Sequence, residues 1–123
     1  MELVERKSEL RELVIHRVKN TYYPSVHSIE EYLEAFDNII KYISSIEPDG
    51  ISVNIMQEEF YFDVYKGGLQ IYIVYFLDTH ESAYDIYNKK AECLSSRFLS
   101  EEISDDKFTN FKIAFSEILE QIK

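Results

Sequence analysis

Apolar side chains recur along this chain with two different periods, and the change from one to the other marks its organisation. From about Glu2 to Lys19, Leu3, Leu10, Leu13, Val14 and Val18 fall at helical spacing, with Pro24 breaking the run soon afterwards. A loop through Asn20 to His27 leads to a start signal. Ser28, followed three residues later by Glu31, has the form of a capping box, in which each side chain satisfies a backbone N–H left over at the helix start. Ile29, Leu33, Phe36, Ile40 and Ile43 then make one apolar stripe, broadened by Tyr32, Ile39 and Ile46, while Glu30, Glu34, Asp37 and Lys41 hold the opposite side. Pro48, Asp49 and Gly50 stop this helix and turn the chain.

From Ile51 the period falls to two. Ile51, Val53 and Ile55 alternate with Ser52, Asn54 and Met56, and Phe60, Phe62 and Val64 alternate with Tyr61, Asp63 and Tyr65. In Lys66-Gly67-Gly68-Leu69, two consecutive glycines supply the positive φ angles of a tight primed hairpin turn. That turn sets a register: Tyr65 opposite Gln70, Val64 opposite Ile71, Asp63 opposite Tyr72, Phe62 opposite Ile73 and Tyr61 opposite Val74. One face then carries Phe60, Phe62, Val64, Leu69, Ile71, Ile73 and Tyr75. The other carries Tyr61, Asp63, Tyr65, Gln70, Tyr72, Val74 and Phe76. A slip by one residue would mix these sets, so their clean division supports the register.

Two more helices are expected after the sheet. Asp78 or Thr79 in a capping position predicts one from about His80 to Phe98, with Ala83, Tyr87, Ala91, Leu94 and Phe98 on its inner side. Asp105 in a capping position predicts the last, where Phe108, Phe111, Phe115, Ile118 and Ile122 form a stripe. The expected fold class is α+β: two N-terminal helices, a three-stranded antiparallel β-meander and two C-terminal helices. With 123 residues, 46% of them hydrophobic, there is material for one core and not for two, so residues 1–123 are expected to form a single compact domain.

Charge adds a functional dimension. The net charge is -10, and between Ser28 and Asp85 only Lys41 and Lys66 stand against twelve acids. The same stretch holds seven of the ten tyrosines. Carboxylates interleaved with tyrosine suit a surface that steers and then grips a basic protein, because charge speeds encounter while aromatic area supplies anchors. The sign of the charge argues against nucleic acid as a direct ligand. The apolar run from Ile71 to Leu77 is far below the length of a membrane span, and the N-terminus interleaves leucine with charge rather than carrying a signal peptide's apolar core. A lone cysteine, Cys93, makes no internal disulfide, which suits a reducing, cytoplasmic setting.

The catalytic inventory is thin. His16, His27 and His80 stand at no zinc-ligand spacing, and neither a metal nor a cofactor is expected. Cys93 and His80 are a conceivable nucleophile and base, since such pairs meet in space rather than in sequence. The place of Cys93 beside the inner side of the expected helix favours a small packing residue instead. Carboxylates are plentiful, but glycoside chemistry also needs an aromatic-lined cleft, and the chain has no tryptophan. Gly67-Gly68 leads from strand to strand, so it offers no helix N-terminus to a phosphate. A non-enzymatic protein is expected.

Two surfaces are candidates for partner binding: the helix edge Glu30, Glu34 and Asp37, and the sheet segment Glu58, Glu59, Asp63, Tyr61, Tyr65 and Tyr72. Each also has a plain structural reading. Acids near a helix start are favoured by its dipole, and a charged stripe opposite an apolar one is ordinarily a solvated face. The tyrosine face is core if helices cover both sides of the sheet. In size, acidity and aromatic content over its whole length, and without a shared motif, the chain resembles bacterial immunity proteins that neutralise nuclease toxins and phage-encoded inhibitors of host nucleases. That resemblance implies a small toxin inhibitor acting by protein–protein interaction. The alternative is an acidic adaptor or secretion chaperone that holds an extended partner segment by β-augmentation, along the edge of Ile51 to Gln57 or of Leu69 to Leu77. A homodimer built on such an edge, or on the tyrosine face, would favour that alternative.

Overall fold

Both periods reappear as secondary structure in a computed structural model of the chain, which describes residues 3–20, 27–100 and 106–122, with side chains from Arg6 onward. The described residues form helices α1 (Leu3–Lys19), α2 (Ile29–Ser44) and α3 (Thr109–Gln121), and strands β1 (Gly50–Met56), β2 (Glu59–Lys66), β3 (Leu69–Phe76), β4 (Ser82–Tyr87) and β5 (Cys93–Leu99). The strands make one antiparallel sheet in sequence order, β1-β2-β3-β4-β5.

Local chemistry accounts for the boundaries. Ser28 and Glu31 close the expected capping box: the Glu31 N–H donates to Ser28 Oγ and the Ser28 N–H to Glu31 Oε1, both at 3.2 Å. Gly67 and Gly68 take φ of 57° and 84°, the two positive values a primed turn needs, and the β2–β3 register is the expected one, with Phe62 opposite Ile73.

The inner face of the sheet is Val53, Phe60, Phe62, Val64, Ile71, Ile73, Tyr75, Tyr84 and Ile86, all buried, and the helices pack on it. The Tyr32 ring of α2 lies 5.9 Å from Phe60, and Phe36 stacks on Phe62 at 6.3 Å. On α3, Phe111 and Phe115 meet the edge of Tyr42 at 5.4 and 5.6 Å. Each fully buried aromatic or branched side chain contributes about 1.5–3 kcal/mol through removal from water. Tyr32 and Tyr75 are buried with their hydroxyls donating to the carbonyls of Gln57 and Lys107, each at 3.0 Å, so neither leaves a polar atom bare in the core. Burial pushes the Tyr75 phenol far above its ordinary pKa, with the charges of Glu34 and Asp106 adding to it.

The α+β class holds, but the expected layout of two helices, three strands and two helices does not. No helix spans His80 to Phe98; that stretch is β4, a turn and β5. Ala83, Tyr87, Ala91, Leu94 and Phe98, the supposed inner side, are none of them buried, whereas Ser82, Tyr84 and Ile86 are. Ser82 tolerates burial because its hydroxyl donates to the Val74 carbonyl at 2.7 Å. The turn after β4 is built by Asn88, whose side-chain oxygen accepts the N–H groups of Lys90 and Glu92 at 2.9 and 3.0 Å. The cap expected of Asp105 lies outside the described residues. α3 follows Phe108 without a side-chain cap, and of its expected stripe Phe108, Phe111, Phe115 and Ile118 are buried.

Strand order also decides which edges exist. β3 lies at the centre, paired on both sides, so the Leu69 to Leu77 edge expected to accept a partner strand is not an edge. The edges are β1 and β5.

Candidate functional site

Alternation along the strands puts three cross-strand rows on the face turned away from the helices. The middle row is Ser52, Asp63, Tyr72, Asp85 and Ser96; on one side of it lie Tyr65, Gln70 and Tyr87, and on the other Asn54, Tyr61, Val74, Ala83 and Phe98. Among the described residues no helix packs on this face. Met56, Tyr65, Tyr72 and Phe98 are 37–58% exposed, and Phe98 meets the edge of Phe76 at 5.8 Å. An apolar end around Met56, Phe76 and Phe98 thus adjoins a tyrosine–carboxylate end on one continuous surface.

At the tyrosine–carboxylate end the register is informative. Tyr72 has Asp63 opposite it on β2 and Asp85 opposite it on β4, while Gln70 has Tyr65 and Tyr87 in the same relation. Neighbouring strands are about 4.8 Å apart, so Asp63 and Asp85 are about 10 Å from each other across the tyrosine. Asp63 accepts hydrogen bonds from Gln70 Nε2 at 3.0 Å and from the Tyr65 hydroxyl at 3.3 Å. Asp85 accepts one from the Ser96 hydroxyl. Glu59, further along β2, accepts one from the Tyr61 hydroxyl at 2.8 Å.

Ion pairs separate the two layers of the molecule. Among the described residues Arg11 pairs with Asp37 at 3.2 Å, Lys107 with Glu34, Lys112 with Asp106 at 2.5 Å and Arg97 with Glu117 at 2.7 Å. None of these bases reaches Glu59, Asp63 or Asp85. The field of the bare carboxylates registers on the phenols beside them. The Asp63 charge holds Tyr65 above the ordinary tyrosine pKa, and Asp85 does the same to Tyr87. For Tyr61, partial burial is the larger cause and the Glu59 hydrogen bond the smaller.

The residues singled out in the sequence therefore fall into two groups on opposite layers. Glu59, Tyr61, Asp63, Tyr65 and Tyr72 come together on the open sheet face, and Glu58 sits in the turn between β1 and β2. Glu30, Glu34 and Asp37 lie on α2, where Glu34 and Asp37 are already neutralised. Asp85, Tyr87, Met56 and Phe98 complete the open face and were not singled out, and Phe76, which the hairpin register already places on this face, joins them. A signal for two of them was present: Asp85-Ile86-Tyr87 repeats the acid–aliphatic–tyrosine order of Asp63-Val64-Tyr65.

Cys93 is not beside a helix. It is exposed at the start of β5, with its thiol 3.5 Å from the Ser95 carbonyl. His80 is no helix start either; it is exposed in the turn after β3 with φ of 62°. His27 bridges two elements: one ring nitrogen meets Glu31 Oε2 at 2.9 Å and the other meets the Asp78 carboxylate. Hydrogen bonding to Glu31 is the main cause raising its pKa, aided by Asp78 and opposed by desolvation. Among the described residues no group of three His, Cys, Asp or Glu side chains is arranged to hold a metal ion, and no helix is long and apolar enough to cross a membrane. No family model, curated protein or solved structure matches this chain.

Proposed function

We propose that the open sheet face docks a basic protein, and that the chain is a small, acidic, non-enzymatic inhibitor working in the cytoplasm. Its partner on this reading is a nuclease, either a toxin neutralised by its immunity protein or a host nuclease blocked by a phage product. The observation that carries this is the placement of Tyr72 between Asp63 and Asp85, with no base among the described residues drawn to either carboxylate. An arginine or lysine of a partner laid on the Tyr72 ring gains a cation–π contact within the field of both flanking carboxylates. The adjoining Phe76, Phe98 and Met56 offer the apolar contact that slows release, while the chain's excess negative charge speeds approach. Enzymes that act on RNA or DNA are basic where they hold phosphate, so an acidic face of this kind suits them as targets.

The test is to retain basic proteins from the source cells on the immobilised chain at low ionic strength, identify the one eluted by salt, and titrate it into labelled chain by NMR. Amide shifts centred on Asp63, Tyr72 and Asp85 are expected. Shifts centred on Glu30 and Glu34 of α2 would move the interface to the helix layer and overturn the proposal.

A further inference from the structure

α2 and α3 run in the same direction across the sheet. Glu34 of α2 pairs with Lys107, just before α3, and about two turns later Tyr42 meets the rings of Phe111 and Phe115. Past these rings a cleft of about 460 Å³ lies between the helices. Its floor is apolar, made by Tyr42, Phe115 and Leu119, and Lys41 and Lys112 stand on its two walls. Ser45 and Ser116 each follow a lysine by four residues, one helical turn along the same face, and their small side chains leave space that a larger residue would close. An apolar floor with a few polar groups around it, at this volume, is the make-up of a small-molecule site.

The charge of this cleft runs against that of the chain. On a protein of net charge -10, the cleft is lined by two bases and, among the described residues, by no acid. Asp37, one turn before Lys41, is engaged by Arg11 at 3.2 Å. Among the described residues no carboxylate pairs with Lys41, whose ammonium lies 5.3 Å from the centre of the Tyr42 ring. Lys112 gives one of its three donors to Asp106 and keeps two. We propose that the cleft binds a small organic carboxylate with an apolar body, its charge between Lys41 and Lys112 and its body on Tyr42, Phe115 and Leu119. A neutral apolar molecule gains only the floor, and an inorganic anion gains only two exposed lysines, whose pull is weak in water. The site belongs to the helix layer, away from the open sheet face, and does not rest on the proposed partner.

The experiment is titration of 2-naphthoate and of decanoate, separately, into the labelled full chain, followed by NMR. At least one acid is expected to give saturable shifts centred on Tyr42, Ser45, Ser116 and Leu119, and the pair distinguishes a ring from a chain as the body. Lys41→Gln and Lys112→Gln should each weaken binding about tenfold, and 2-naphthylmethanol and decanol, which keep the bodies without the charge, should bind about tenfold more weakly than their acids. Ser116→Leu fills the cleft from an exposed helix position and keeps both lysines; it should abolish the shifts while the rest of the spectrum is unchanged. No saturable shift from either acid at millimolar concentration overturns the inference. So does an alcohol that binds as tightly as its acid, and so does binding that survives both lysine substitutions together. Shifts centred on Met56, Phe76 and Phe98 overturn it as well, since they would move the contact to the open sheet face.

Discussion

Asp63 stands directly opposite Tyr72 across the β2–β3 ladder, yet takes its hydrogen bonds from Tyr65 and Gln70, leaving the Tyr72 hydroxyl with no partner among the described residues. The Asp63 charge is what holds the Tyr65 phenol high. Asp63→Asn should therefore lower the Tyr65 pKa toward the ordinary tyrosine value while leaving the fold intact. An NMR titration of the Tyr65 ring checks this, and an unchanged midpoint would mean that the Asp63 field does not govern this face.

Stability should depend most on the stack beneath α2. Phe62 is fully buried between Phe36 and Phe60, with ring centroids 6.3 and 5.9 Å away. Phe62→Ala leaves a cavity walled by aromatic rings, and a loss of about 3–5 kcal/mol in denaturant unfolding is expected. Tyr72→Ala, on the open face, should cost less than about 1 kcal/mol.

The β2–β3 turn should respond to substitution through backbone conformation more than through space. At Gly67, with φ of 57°, nothing lies within 4 Å of an added Cβ; at Gly68, with φ of 84°, the flexible Lys89 side chain does. Gly67→Ala and Gly68→Ala should each destabilise by about 1 kcal/mol, and Gly67→Asn, which tolerates the left-handed region, by less. Thermal unfolding of the three variants distinguishes backbone strain from crowding.

His27 gives the fold a pH dependence of definite sign. Its folded pKa is raised above the ordinary 6.5, so the protonated bridge to Glu31 and Asp78 contributes fully below about pH 6.5, the unfolded value. The contribution is lost as pH rises through the folded value. His27→Gln should flatten that decline, with a difference of up to about 1 kcal/mol, the scale of exposed ion pairs. Unfolding midpoints of both proteins between pH 5.5 and pH 8.5 check the sign.

The same residues explain what could be read from the sequence. α2 and the β2–β3 hairpin announced themselves because Ser28-Glu31 and Gly67-Gly68 each allow one local conformation, and the period of burial agreed with both. β4 and β5 did not. Their turns use His80 and Ala91 in the left-handed region, at φ of 62° and 63°, where neither glycine nor proline advertises a reversal. β4 buries alternate residues, but an inward serine, Ser82, and outward Ala83 and Tyr87 hide that alternation in its composition, while edge strand β5 buries only Leu99 and has no period of two. The chance helical spacing from Ala83 to Phe98 then prevailed. The tyrosine–carboxylate face is legible on β2 and β3 but cut short, since the helical spacing from Ala83 to Phe98 places Asp85 and Tyr87 on a helix.

Association kinetics test the docking face most directly. With the basic protein recovered at low salt as ligand, rates are measured at two ionic strengths for wild type, for Asp63→Lys with Asp85→Lys, for Glu30→Lys with Glu34→Lys, and for Tyr72→Ala. The expected result is a slower, less salt-dependent association for the Asp63 and Asp85 pair, a dissociation rate raised about tenfold or more for Tyr72→Ala, and little change in close-range binding for the Glu30 and Glu34 pair. Unchanged rates for the Asp63 and Asp85 pair at low salt, with binding lost instead in the Glu30 and Glu34 pair, would contradict it.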